Sequence, residues 1–220
     1  MITHDILNSI VFLAASFLLG SIPFGVITGK LLKGIDIRDV GSGNIGTANA
    51  FRALGLWGGL LVFAGDVAKG FLPVHFACLA TSGPHLEWLQ VFSGILAILG
   101  HNYSVFLKFK GGKGIATSLG VILALNWKIA FICLAIWGLI VLVTRYSSVG
   151  SLAGSFMLPI LMALFKQPYP YIGFAIIACL FAFHAHRKNI RNLMEGKELK
   201  LTEKHQKKLE QLQENAALQQ

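Results

Sequence analysis

Four short segments of the chain combine Gly, Asn, Lys, Arg or His residues at spacings that are suited to chemistry. They cover residues 41–52, 66–70, 100–114 and 186–198, and long apolar runs lie between them. Glycine lets a backbone approach an anion closely, while Lys, Arg and Asn side chains supply the donors that a phosphate group requires. The pattern therefore predicts a membrane enzyme whose site handles a phosphate-bearing ligand.

The first segment reads GSGNIGTANAFR and has the glycine spacing of a dinucleotide-binding fingerprint. That fingerprint requires a preceding β-strand and an acidic residue about twenty positions later, whereas apolar helical runs flank this segment on both sides. We interpret it as an anion-binding loop; the alternative is a tight turn followed by an arginine that anchors a helix at the membrane surface. As an anion-binding loop it offers Ser42, Asn44, Gly46, Asn49 and Arg52 as ligand contacts.

Residues 100–114 read GHNYSVFLKFKGGKG and lead directly into an apolar run that begins at residue 115. A glycine-rich loop that opens a helix presents unpaired N–H groups at the positive end of that helix, and three lysines add full charges. This favours an oxyanion site, although a basic loop that only sets membrane orientation is the alternative. The spacing differs from GxxxxGK[ST], which argues against a nucleotide triphosphatase. The candidate residues are Gly111, Gly112, Lys113 and Gly114.

Two further pairs of polar residues each share a helical face. Asp66 and Lys69 are three residues apart inside an apolar run, where ionised groups are costly unless they pair or line a polar cavity. They form either a structural ion pair or a wall of the site. His186 and Asn189 have the same spacing in a short helix that we predict to end near Gly196, and the two side chains can reach one ligand together.

The composition is that of a polytopic membrane protein. Of the 220 residues, 55% are apolar and 13% are charged, and the mean hydropathy is +0.66, which lies outside the usual range of a soluble domain. The net charge of +9 favours anionic lipids and phosphate substrates as partners, because it is distributed between apolar runs and in the tail; nucleic acid is not expected. The three cysteines lie in apolar runs and indicate neither a disulfide framework nor a metal site.

The apolar runs predict an all-α integral membrane protein with about seven transmembrane helices. The fourth and fifth runs are short and separated only by residues 126–128, so a re-entrant pair or tilted helices buried in the bundle are alternatives. The predicted spans cover residues 6–29, 54–79, 88–107, 115–126, 128–144, 148–165 and 169–185.

The distribution of basic residues predicts the orientation. With the N-terminus outside, sixteen Lys and Arg residues lie on the inner side and two on the outer side, so the positive-inside rule places the N-terminus outside and the C-terminus inside. The Gly-rich loops then face the cytoplasm. We predict a membrane domain over residues 1–198 and a charged cytoplasmic tail over 199–220, either a short surface helix or a frayed end, to which we assign no chemistry.

Several motifs occur together in an order that resembles a known family. On these motifs the chain is similar to the acyl-phosphate-dependent glycerol-3-phosphate acyltransferases of bacteria, the PlsY family. It departs from the usual family pattern at Thr47-Ala48, Ser104 and Asn192, where the family has Ala-Thr, Pro and a basic residue. The shared motifs are GSIPFG at 20–25, GSGNIG at 41–46, Asn49 and Arg52, Asp66 with Lys69-Gly70, GH at 100–101, FLKFKGGKG at 106–114 and HR-x-N-I at 186–190.

The resemblance implies transfer of a fatty acyl group from acyl phosphate to the 1-hydroxyl of sn-glycerol 3-phosphate, which yields lysophosphatidic acid and phosphate for phospholipid synthesis in the bacterial cytoplasmic (inner) membrane. It implies neither a metal nor another cofactor, because the anhydride is already activated. It implies catalytic roles for Ser42, Arg52, Lys113, His186 and Asn189, and substrate contacts at Asn44, Gly46, Asn49, Asp66, Lys69, His101, Gly111, Gly112 and Gly114.

Some roles stay open within this interpretation. Ser42 is expected to donate a hydrogen bond, because a serine nucleophile needs an adjacent base and the first segment contains no His. The base is either His186 or a phosphate oxygen of a substrate, whose second pKa is near neutrality. Glu198 matches an acid of the family's last motif, and we interpret it as structural.

A transporter of phosphate or of an organic phosphate is the main alternative function. Transporter sites usually lie near the bilayer midplane between repeats, whereas these polar segments gather at one face and no repeat is visible. A scaffold for other lipid enzymes would need none of this chemistry. The sequence leaves the acyl-chain length and the oligomeric state open.

Overall fold

The computed structural model describes residues 2–201, and the regular secondary structure in this range is entirely helical, in agreement with the predicted fold class. Short loops and single 3-10 turns connect the α-helices. In this described part the helices are α1 (Ile2–Ser21), α2 (Phe24–Lys33), α3 (Thr47–His75), α4 (Leu86–Asn102), α5 (Ile115–Leu125), α6 (Trp127–Thr144), α7 (Ser147–Leu164), α8 (Tyr169–Ala185) and α9 (Arg187–Met194).

Five helical segments of residues 2–201 are long and apolar enough to cross a bilayer, and α8 with α9, bent by 54°, makes a sixth candidate. The outer faces carry large apolar side chains; Leu139, Leu142 and Val143 on α6 are 65%, 78% and 83% exposed. Lipid covers such a surface at no cost, whereas water disfavours it. The chain is therefore a multi-pass membrane protein, as predicted.

The fourth predicted span corresponds to α5, which is too short to cross alone. Its 11 residues rise about 16 Å, roughly half of the hydrocarbon thickness. The helix packs inside the bundle against α3 instead, where Gly70 faces the backbone of Thr117 and Gly120 faces the backbone of Val67. For the fourth run, this is the predicted alternative of a helix buried in the bundle. It places the N-terminus of α5 within the polar end of the bundle.

Two breaks differ from the predicted continuous spans. The first span divides at Pro23, which has no N–H to continue the helical ladder, and α2 begins at the next residue. The break leaves the Ile22 carbonyl available, and it accepts a hydrogen bond from Lys69 Nζ at 2.8 Å. In α3, Gly55 has φ +80° and ψ −167°, outside helical geometry. The α3 helix also begins at Thr47, before the predicted start of the second span, so Arg52 lies on a short segment ahead of the kink.

The largest hydrophobic core cluster of the described residues surrounds α5. Buried side chains of α4 to α8 meet there, including Val121, Ile129, Met162 and Phe174, each at most 1% exposed. Because this core fixes α5 against α6, α7 and α8, the loop that opens α5 has a rigid base.

Candidate active site

The side chain of Asn49 makes most of the side-chain hydrogen bonds within the loop of the first segment, and Asn44 Oδ1 adds one by accepting from the Gly46 N–H. Asn49 Nδ2 donates to the carbonyls of Ile37, Val40 and Asn44 at 2.7–3.1 Å, and its Oδ1 accepts from the Ser42 N–H at 2.9 Å. With 1% exposure, the Asn49 amide is occupied by the backbone around it. Asn49 therefore fixes the conformation of the loop, and this loop presents the exposed Ser42 side chain.

The guanidinium of Arg52 meets the chain that follows α9. Its Nε donates to the Lys200 carbonyl at 3.2 Å, and its Nη2 donates to the Leu199 carbonyl at 3.0 Å. Residues 199 and 200 belong to the segment to which we assigned no chemistry, and its first residues in fact contribute to this site. The remainder of that tail, residues 202–220, lies outside the described residues.

The glycine loop, residues 111–114, is tied to the end of α4. Gly111 N–H donates to the Asn102 carbonyl and Gly112 N–H donates to the His101 carbonyl, both at 3.0 Å. Gly114 then adopts φ +79° and is the N-cap residue of α5, which begins at Ile115. Because the first N–H groups of a helix have no partner within it, the start of α5 offers donors to an anion.

Lys113 joins the glycine loop to α9. Its Nζ donates to Asn189 Oδ1 at 2.6 Å. Burial lowers the pKa of Lys113 to about 8, and the positive charges of Arg52 and Lys188 act in the same direction, against the opposing effect of Glu198. A lysine in this state is charged at neutral pH but poorly solvated, so an incoming anion gains more from it than from a surface lysine.

The hydrogen-bond chain continues from Asn189 to α7. Asn189 Nδ2 donates to Glu198 Oε1 at 2.6 Å, and Ser148 Oγ donates to the same oxygen at 2.8 Å. The orientation of the Asn189 amide is thereby fixed, with its oxygen toward the lysine and its nitrogen toward the carboxylate. This chain of polar contacts joins the glycine loop, α9, the segment that follows α9 and the start of α7.

His186 lies at the bend between α8 and α9 and is 3% exposed. Its Nδ1 is 2.8 Å from the Ala182 carbonyl. A carbonyl only accepts, so Nδ1 carries the hydrogen and, in the neutral ring, Nε2 is the nitrogen that can take up a proton.

A third polar group lies deeper in the bundle. Lys69 Nζ is 2.8 Å from Asp66 Oδ1, and His101 Nδ1 is 3.5 Å from the same oxygen. The three side chains are at most 3% exposed. The predicted ion pair is therefore present. Of the wall predicted from Asp66 and Lys69, only Asp66 lines the main cavity, where His101 joins it.

That cavity has a volume of about 610 Å³ and connects the polar end to the interior of the bundle. Its inner part is apolar and runs between α3, α5, α6 and α7 past Phe63, Ile122, Trp137 and Leu158. A second cavity of about 520 Å³ opens beside it, and its lining includes Lys110, Gly111, Gly112, Lys113 and Arg187. The two cavities share a polar wall made of Ser42, Asn44, Lys113, Lys188, Asn189 and Asn192.

Comparison with known proteins identifies the family. The model of the family described as glycerol-3-phosphate acyltransferase matches residues 10–196. This chain belongs to the glycerol-3-phosphate acyltransferase family. The acyltransferase is 40% identical to a glycerol-3-phosphate acyltransferase of Nostoc sp. over 86% of this chain and 90% of that protein. It is 39% identical to one of Carboxydothermus hydrogenoformans over 84% of this chain and 93% of the other.

The acyltransferase also has the fold of solved relatives. It aligns with the crystal structure of PlsY, an integral membrane glycerol 3-phosphate acyltransferase, in the glycerol 3-phosphate form, with a TM-score of 0.82 and 38% identity over 87% of this chain and 94% of that chain. The lysophosphatidic acid form of PlsY aligns with a TM-score of 0.80 and 36% identity over the same shares. The resemblance to the PlsY family seen in the motifs is thereby confirmed.

The acyltransferase brings most of the predicted site residues to these two cavities. The five residues predicted as catalytic line the main cavity together: Ser42, Arg52, Lys113, His186 and Asn189. Asn44, Gly46, Asn49, Asp66, His101 and Gly114 line it as well, whereas Gly111 and Gly112 line the second cavity. Lys69 is absent from both linings of the described part and is buried behind Asp66.

Sequence reasoning missed several groups at this site. Ser148 is one; its only signal is a polar pair, Ser147-Ser148, at the start of an apolar helix. Glu198 was expected to be structural, and it does fix Asn189, but it does so inside the cavity wall. Thr47, at a departure from the family pattern, lines the main cavity and its buried Oγ1 has no hydrogen-bond partner among the described residues.

Proposed function

We propose that this chain transfers a fatty acyl group from acyl phosphate to the 1-hydroxyl of sn-glycerol 3-phosphate and releases lysophosphatidic acid and inorganic phosphate. The observation that carries the proposal is the shared polar wall between an apolar cavity and a cationic one. One substrate has a long apolar chain, both carry a phosphate group, and the reacting atoms must meet where the two cavities join.

Acyl phosphate occupies the main cavity in this proposal. Its chain extends between α5, α6 and α7, where burial of each methylene group contributes roughly 0.8 kcal/mol relative to water. Its phosphate group lies at the polar end against Arg52 and Lys113, both of which line that end. Arg52 forms two parallel hydrogen bonds to phosphate, while Lys113 contributes a single charge.

Glycerol 3-phosphate occupies the second cavity. Lys110, Arg187 and Lys188 line it, and Gly111 and Gly112 expose backbone without a side chain along part of its wall. Relatives solved in glycerol 3-phosphate and lysophosphatidic acid forms support an acceptor and a product of this kind. The 1-hydroxyl then points toward the shared wall.

The reaction is an attack of the 1-hydroxyl oxygen on the acyl carbonyl carbon. A new ester C–O bond forms, the C–O bond to phosphate breaks, and the phosphate leaves with the bonding electrons. The hydroxyl proton ends on the departing phosphate, either directly or through His186 Nε2, the ring nitrogen left free by the bond to Ala182. No cofactor is required, because the acyl phosphate anhydride is already activated.

Cationic groups at and beside the shared polar wall lower the activation barrier of acyl transfer by stabilising negative charge. As the carbonyl carbon becomes tetrahedral, its oxygen gains negative charge beside Lys113 and Arg52, and Ser42 can donate one hydrogen bond. Removal of one such preorganised donor typically raises the barrier by about 3–4 kcal/mol. The site faces the cytoplasm of a bacterial inner membrane in this proposal, because the basic loops follow the positive-inside rule.

The decisive experiment uses the purified protein in detergent with labelled glycerol 3-phosphate. Long-chain acyl phosphate, acyl-CoA and acyl-carrier-protein thioester are offered as parallel donors, and Arg52→Ala is the matched low-activity variant. We expect labelled lysophosphatidate from acyl phosphate alone, and a loss of about 10²- to 10³-fold in Arg52→Ala.

Other outcomes contradict the proposal in different ways. Formation of lysophosphatidate from acyl-CoA, with none from acyl phosphate, would show that the acyl donor is acyl-CoA and not acyl phosphate. Unmodified labelled substrate crossing the wall of sealed proteoliposomes, without product in any assay, would restore the transporter alternative.

A further inference from the structure

The buried ion pair of Asp66 and Lys69 reaches the main cavity through Asp66, and it contacts the glycine loop side of the site through His101. Asp66 and Lys69 are each 1% exposed, and Lys69 Nζ is further held by the Ile22 carbonyl at 2.8 Å. A charged pair inside a membrane bundle is costly and persists where it has a function or a fixed partner. Here the carboxylate faces His101 Nδ1, at 3.5 Å.

The opposite edge of the His101 ring supports the glycine loop. A Cβ atom added at Gly112 would overlap His101 Nε2, so this ring nitrogen is in contact with the Gly112 backbone. Gly112 is not among the glycines with positive φ, so glycine is needed there for space and not for conformation. The Gly112 N–H also donates to the His101 carbonyl at 3.0 Å. His101 therefore holds the glycine loop through both its imidazole ring and its backbone carbonyl.

Lys113 is the next residue of that loop, and its Nζ must meet Asn189 Oδ1, 2.6 Å away. Movement of Gly112 into the space of the His101 ring would move Lys113 with it. The geometry points to His101, with Asp66 and Lys69 behind it, as positioning residues that hold the glycine loop and thereby place Lys113 at the shared wall. This inference rests on the proposed function for its kinetic consequences, but its structural part can be tested without catalysis.

A size-compensation experiment tests the ring contact. The variants are His101→Ala, Gly112→Ala and the double variant, with His75→Ala as the matched control, because His75 is exposed at the far end of α3. Gly112→Ala alone should reduce kcat/KM for glycerol 3-phosphate by on the order of 10²-fold, because the added methyl displaces the loop. The double variant should be more active than Gly112→Ala, since the missing ring leaves room for the methyl group.

A second measurement separates positioning from direct substrate contact. Hydrogen–deuterium exchange of the substrate-free protein reports on the Gly111 and Gly112 amides, which donate to carbonyls of α4. We expect faster exchange over the glycine loop in His101→Ala and in the neutral pair Asp66→Asn/Lys69→Met, with no change in His75→Ala. The neutral pair avoids leaving one buried charge without a partner, so it should fold where single variants fail.

The outcomes are distinct. Losses that add in the double variant, together with unchanged loop exchange, would show that His101 contacts substrate directly and would overturn the positioning role. Faster loop exchange with no transferase activity in the wild-type protein would support positioning while contradicting the proposed function.

Discussion

Lys113 Nζ and Asn189 Oδ1 are 2.6 Å apart although 76 residues separate them in the chain. This hydrogen bond closes the site, because it joins the loop that opens α5 to the helix that follows the bend at His186. Asn189 is itself held by Glu198, and Glu198 by Ser148. A single amide thus sets the position of the lysine shared by both cavities.

We expect Asn189→Ala to lower kcat/KM by about 10²-fold, because Lys113 loses its acceptor and moves from the position that stabilises the transition state. Asn189→Asp should also be impaired, since a carboxylate accepts from Lys113 but cannot donate to Glu198. The kinetics of acyl transfer measure both.

Asn126→Ala is the control. It removes the N-cap of α6, which costs about 1 kcal/mol of stability, and it should leave kcat/KM unchanged. Each variant is assayed at the same interval below its own melting temperature. Equal losses of kcat/KM in Asn189→Ala and Asn126→Ala would contradict the role of Asn189 in placing Lys113.

The protonation of Lys113 predicts a pH dependence of phosphate binding. Burial lowers its pKa to about 8 in the substrate-free protein, so the ammonium is present below that pH and is lost as the pH rises through it. The substrate phosphate completes its second ionisation near neutral pH, so above pH 8 the change comes from the lysine. Affinity for glycerol 3-phosphate should fall there by at most roughly tenfold per pH unit. Isothermal titration calorimetry measures this without the alkali-labile acyl phosphate.

Lys113→Arg is the matched variant for this measurement. Arginine stays protonated across this range, so its affinity should be lower near neutrality but should not fall above pH 8. A wild-type affinity that is flat to pH 10 would show that another group carries the binding.

Close packing of α3 against α5 predicts a strong effect of one methyl group. A Cβ at Gly120 would overlap the Val67 carbonyl of α3, and rigid backbone cannot make room for it. We expect Gly120→Ala to destabilise the protein by about 1–3 kcal/mol, measured as a lower melting temperature in detergent. Gly138→Ala is the control, because nothing lies within 4 Å of its Cβ; alanine should be neutral or slightly stabilising there. Equal melting temperatures for the two variants would refute the close approach.

The contacts within one segment were accessible from the sequence. Asp66 and Lys69, three residues apart in an apolar run, could only be paired or facing a polar cavity, and they are paired. Gly114 before an apolar run indicated a helix start, and α5 begins there. Hydropathy and helical period are local properties, so they predict local structure well.

The contacts between distant segments were not accessible. Nothing in the spacing of Arg52 indicates that the carbonyls of residues 199 and 200 accept its hydrogen bonds, and nothing pairs Ser148 with Glu198. Such contacts follow from how the helices pack, which periodicity does not encode. The kink at Gly55 and the break at Pro23 were missed for another reason: an apolar run looks continuous whether or not its backbone ladder is interrupted.

The predicted orientation can be tested with a cysteine that the chain already carries. Cys78 is exposed just after α3, at the end opposite Arg52, and the part of α3 that follows the kink at Gly55 is alone about 30 Å long. If the site faces the cytoplasm, a membrane-impermeant maleimide should label Cys78 in intact right-side-out vesicles and Arg191→Cys only in inverted ones. Labelling is read by mass shift, Cys78→Ser is the blank, and Arg191→Cys is placed in that background. The reverse pattern would put the site outside and would require a periplasmic source of glycerol 3-phosphate.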